Sequence, residues 1–157
     1  MRIVLLGLML CLTPVLALAD AKPTPEEAKR VLDFFYHGKG LGPVLLESKV
    51  CRDIQREGDG KGDCAGDLSA QTIKKGDTVY LWMAYMVPSG DEAQNIIVQF
   101  ENGGVTRSVK NLQVSGQLRN RTWLKATLDK VGPWKVKIVH DTGSSAVPLG
   151  SRDITVE

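Results

Sequence analysis

Two cysteines, Cys51 and Cys64, bracket the stretch CRDIQREGDGKGDC, which is dense in glycine and aspartate and could serve calcium, zinc or a disulfide. Read as an EF-hand from Asp53, the loop supplies Gln55, Glu57, Gly58 and Asp59. Its twelfth position, however, is Cys64, where a bidentate glutamate belongs. That motif is therefore rejected, and the calcium reading that remains is a looser oxygen cage from Asp59, Asp63 and Asp67. Zinc fares worse, because the chain has only two histidines, His37 and His140, and the cysteines serve better as partners for each other. A disulfide between Cys51 and Cys64 is the leading expectation, and closing a loop of this length is worth about 3 kcal/mol in the chain-entropy account.

Signs of catalysis are sparse. No G-x-S-x-G elbow occurs, and Ser144 and Ser145 sit in a turn-rich stretch with no base linked to them. The acids concentrate in loops, where solvation explains them, and no glycine-rich phosphate loop follows a strand. A non-enzymatic role is expected, with no cofactor beyond the calcium alternative. One group of residues suits recognition instead. Arg121, Trp123 and Lys125 alternate, so a strand would set an aromatic between two cations on one face, suited to stacking on a sugar or receiving an anionic segment. Lys135 and Lys137, alternating with Trp134, Val136 and Ile138, extend a basic stretch from Gly104 to His140 in which Asp129 is the lone acid. The chain as a whole carries 20 basic and 18 acidic residues, so nucleic acid is not an expected partner.

The elements that must position these residues follow a leader. Met1-Arg2, an apolar run from Ile3 and the step Ala17-Leu18-Ala19 read as a secretory signal peptide over residues 1–19. The apolar run is too short for a membrane span, so no span is expected after cleavage and the compartment is periplasmic or extracellular. Residues 20–43 hold a helix and a hinge. Thr24 caps, Pro25 and Glu27 take their usual first-turn places, and Ala28, Val31, Leu32 and Phe35 form one apolar stripe.

From residue 44 to 157 the period changes to two. Strands are expected at Val44 to Asp53, Thr78 to Val87, Ile96 to Glu101, Val105 to Val114, Arg121 to Leu128, Trp134 to His140 and Ser151 to Val156. The stretch TVYLWMAYMV is apolar on both faces, which places it in the middle of a sheet with something packed on each side. Asn102-Gly103-Gly104 signals a tight hairpin. About seven strands and one short leading helix predict an all-β, immunoglobulin-like antiparallel β-sandwich.

From Lys49 onward the segments SKVCRDI, DTVYLWM, NRTWLKATL, GPWKVKIVHDTGS and RDITV follow one another in an order that resembles the bacterial domain of unknown function 2914. The resemblance covers roughly residues 49 to 157. It implies an accessory β-sandwich of the cell envelope and lends no catalytic residues. The expected function is an exported binding or accessory module that recognises a protein or anionic envelope component through a basic, aromatic strand face. The alternative is a small calcium-binding periplasmic protein built on the Gly/Asp loop.

Overall fold

A computed structural model describes residues 42–87, 93–115 and 117–157 and, ahead of them, Pro25, Ala28, Lys29 and Leu32. The expected leader and most of the helix and hinge lie outside the described residues. The four isolated positions are helical, and Leu32 of the expected stripe is 54% exposed. Among the described residues no helix is long and apolar enough to cross a membrane.

Nine strands follow: β1 (Val44–Ile54), β2 (Cys64–Asp67), β3 (Thr72–Ile73), β4 (Thr78–Val87), β5 (Gln94–Asn102), β6 (Val105–Val114), β7 (Gln117–Thr127), β8 (Gly132–Asp141) and β9 (Ala146–Val156). They build two sheets. Sheet A has the order β2-β1-β4-β7, and sheet B the order β3-β9-β8-β5-β6. All pairings are antiparallel except β3 with β9. The expectation of about seven strands is corrected to nine. Seven match the expected segments, and β2 and β3 are additions made of four and two residues.

β4 explains the layering. Its Val79, Leu81, Met83, Tyr85 and Val87 are buried against Val98, Phe100, Val136 and Ile138 of sheet B. Burying each such side chain contributes about 1.5–3 kcal/mol. Burial also raises the Tyr85 phenol above its ordinary value, so it stays neutral, donating to the Met83 thioether at 3.1 Å. The opposite face of β4 carries Trp82 and Ala84, which join Val44, Leu46, Cys51 and Ile54 in a second apolar cluster. A strand apolar on both faces therefore sits centrally between β1 and β7 with a core on each side, as the sequence requires.

Two details fix the registration. The two-residue turn between β5 and β6 puts Gly103 at φ 58° and Gly104 at φ 80°, and glycine adopts this left-handed pair without steric penalty. Across the sandwich, β1 faces β9: the exposed Arg152 donates from Nε to the buried Ser48 hydroxyl at 2.8 Å.

Candidate functional site

Alternation along β7 puts Arg121, Trp123 and Lys125 on the outer face of sheet A, because Leu124 and Ala126 turn toward the core. The register sets Trp123 beside Trp82 of β4, and Trp82 beside Lys49 of β1. Directly opposed aromatics on an antiparallel pair pack against each other. Trp82 is 3% exposed, whereas Trp123, on the edge strand, keeps 37% of its surface in solvent.

The loop between Cys51 and Cys64 makes this difference. The disulfide ties the loop to the sheet, and four backbone hydrogen bonds organise it, including Gln55 N–H to Asp63 at 2.9 Å and Gly62 N–H to Gln55 at 2.8 Å. Folded back, it presents the Gly62 carbonyl to Trp82, whose indole N–H donates to it at 2.8 Å. Gly62 has φ 86°, and a β-carbon there would stand 3.7 Å from the Trp123 ring. The positive φ, more than that clearance, calls for glycine at this point.

Arg121 completes the wall. Its Nη1 donates to Asp63 Oδ1 at 2.6 Å, so the loop carboxylate holds the guanidinium in place over the sheet. Lys49 lies 5.6 Å from the Trp82 ring centroid and 2.8 Å from Glu47. Between loop and strand lies a cavity of about 450 Å³ lined by Arg56, Lys61, Gly62, Arg119, Arg121 and Trp123, with Ile54 and Gln55. Four cations border it and no carboxylate does.

The expected residues are thus divided between the two sheets. Arg121 and Trp123 meet in one cavity and Lys125 stands one register step beyond. Lys135 and Lys137 project instead from the outer face of sheet B, where Lys137 Nζ is 2.7 Å from Glu101 Oε1. Arg56, Lys61 and Arg119 were not singled out by sequence reasoning. The available signal was three basic residues between the paired cysteines, Arg52, Arg56 and Lys61, and for Arg56 and Lys61 it becomes spatial only once the loop folds over β7.

The proposed oxygen cage is not assembled. Asp63 is committed to Arg121, and Asp67 Oδ1 accepts from the Ser69 amide at 2.8 Å. Hydrogen bonding from Ser69 holds the Asp67 carboxyl below its ordinary value. Among the described residues no three acidic, histidine or cysteine side chains gather in a group that could hold a metal. His140, buried and 2.9 Å from the Gln94 side-chain oxygen, has its imidazole pushed below the ordinary histidine value by desolvation, partly opposed by Asp141.

No protein-family model matches the chain, and no curated protein sequence does. Solved structures are similar to it in fold. The C-terminal domain of Wzt superposes with a TM-score of 0.51 at 11% identity, over 75% of this chain and 75% of that one. The CARDB domain of the PF1109 protein from Pyrococcus furiosus, crystallised in complex with di-metal ions, gives a TM-score of 0.44 at 10% identity, over 73% of this chain and 91% of that one. At such identity the likeness is one of architecture, and the Wzt domain supports a two-sheet β-sandwich.

Proposed function

We propose that the chain is a non-catalytic, exported binding module that takes an anionic envelope component on the outer face of sheet A. One observation carries this reading. The half-exposed Trp123 ring borders a cavity walled by Arg56, Lys61, Arg119 and Arg121 and free of lining carboxylates. A sugar ring or apolar segment would stack on the indole while its acidic groups meet the guanidinium and ammonium groups. Because Asp63 already orients Arg121, that side chain loses little freedom on binding. The resemblance to domain of unknown function 2914 implies the same accessory role, and the disulfide agrees with an oxidising compartment.

Calorimetry with a short oligogalacturonate as probe tests this, since that molecule offers both sugar faces and carboxylates. The wild-type protein binds it with an affinity that falls as salt rises. Trp123→Ala weakens binding by about tenfold or more, as expected for an aromatic anchor, with the circular dichroism spectrum unchanged. Equal affinity in wild type and Trp123→Ala removes this face from the function.

A further inference from the structure

A second cationic site lies on the opposite flank of the sandwich. Sheet A has four strands and sheet B five. Counting outward from the facing pair β1 and β9, β4 stands over β8 and β7 over β5. β6 has no strand above it. Its burial agrees: of its ten residues Val114 alone is buried, and seven, including Arg107 and Lys110, are exposed. Both β6 and β7 are edges among the described residues, so the backbone groups on their free sides have no strand partner.

The gap is a cleft of about 680 Å³ with a cationic rim. The pairing of β5 with β6 slips between Phe100 and Glu101: Phe100 opposes Ser108, Glu101 opposes Thr106, and Arg107 is the extra residue. Such a bulge re-aims side chains, and it brings Arg107 beside Ser108 on the cleft wall. Lys110 follows on β6, Lys125 borders the cleft from β7, and Lys130 closes one end. Among the described residues, none of these four cations is in an ion pair, and Asp129 is the one acid in the lining. The floor is apolar, with Phe100 and Trp134. The Trp134 indole N–H is already satisfied by the Lys130 carbonyl at 2.8 Å.

We propose that this slot receives an extended acidic segment of a partner protein, which adds to the free edge of β7 as a fifth strand of sheet A. The dimensions suit a strand. One laid ~4.8 Å beyond β7 would stand about 10 Å above β6, the usual spacing of packed sheets. Its inward side chains, recurring every second residue, would be carboxylates facing Arg107, Lys110 and Lys130. Charge also decides against a second copy of this chain, because pairing β7 with itself would set Arg121 and Lys125 against their own kind. Lys125 and Arg121 thus discourage self-pairing of the edge, while Arg107, Lys110 and Lys130 select an acidic strand.

The probe is a blocked ten-residue peptide alternating glutamate and threonine, titrated against the full chain by fluorescence anisotropy. The expected result is saturable binding that weakens with salt. Arg107→Ala with Lys110→Ala weakens it by about tenfold or more, while Trp123→Ala leaves it unchanged, which separates this slot from the Trp123 cavity. A peptide N-methylated at every residue, with no backbone N–H left on either edge to pair as a strand, loses binding. Arg107→Glu with Lys110→Glu transfers preference to the lysine-for-glutamate peptide, a gain that misfolding could not produce. Absence of binding by the acidic peptide overturns the proposal. So does equal binding of the N-methylated peptide or of tripolyphosphate, either of which would make the cleft a simple anion site.

Discussion

The two flanks of the sandwich are finished in opposite ways. On the β1–β2 flank, Cys51, Ile54 and Trp82 are buried under a disulfide-tied loop, and Leu68 and Ile73 plug the gap between sheets. The parallel pair of β3 with β9, reinforced by Glu157 N–H to Ile73 at 2.9 Å, covers the sheet B edge there. On the β6–β7 flank no such cover exists among the described residues, and Arg107, Lys110, Lys125 and Lys130 stand in its place. Both solutions restrain unwanted edge pairing, one by cover and one by charge. They differ in consequence. A covered edge contributes to stability and leaves no backbone groups for a partner strand to pair with, whereas a charged one contributes little stability and keeps its hydrogen-bonding groups available.

If that contrast is real, substitutions on the two flanks should fall on different axes. The largest loss of stability is expected for Trp82→Ala. It empties the centre of the second apolar cluster and removes the bond to Gly62, for a cost of about 3–5 kcal/mol. Urea unfolding would read this as a lower midpoint at unchanged slope. A cost below ~1 kcal/mol would mean that the loop, and not the indole, holds this flank.

Next comes removal of the staple. Replacing Cys51 and Cys64 together by alanine costs about 3 kcal/mol through the freed denatured chain. It also loosens Asp63 and Gly62, so the calorimetric affinity for the oligogalacturonate should fall while peptide binding at the β6–β7 flank does not. Combined with Trp82→Ala the losses should be less than additive, because both act on one loop. Equal loss at both sites would break the comparison.

How far the sequence shows this depends on what each residue answers to. Thr78–Val87 and Val105–Val114 are expected and found with identical bounds, because a continuous apolar run rich in β-branched and aromatic residues, or a flanking Asn-Gly-Gly turn, reports local geometry directly. β2 and β3 are not legible. Cys64-Ala65-Gly66-Asp67 has the composition of a turn and is a strand only because the disulfide and its register with β1 hold it there. Thr72-Ile73 is too short to show a period and owes its conformation to the last strand of the chain. The candidate sites divide similarly. Arg121 and Trp123 share a face by simple alternation, which the sequence displays. The Arg121 bond to Asp63 joins residues 58 apart, and the cleft joins Arg107 to Lys130 through a bulge and a topology that no spacing rule encodes.

The smallest effect is the one that most sharpens the contrast. Arg107→Ala with Lys110→Ala should change unfolding free energy by no more than about 0.5 kcal/mol, because both side chains are exposed and neither is in an ion pair with a described residue. Its sign carries information. Four cations around one acid repel one another, so removing two should leave stability equal or slightly raised, and added salt should stabilise the wild type more than the variant. A rim kept at that small electrostatic cost, while the opposite flank is sealed with apolar side chains, has its use in binding. A clear loss of stability in the double variant would instead make these cations part of the scaffold, and the two flanks would then differ only in which residues hold them together.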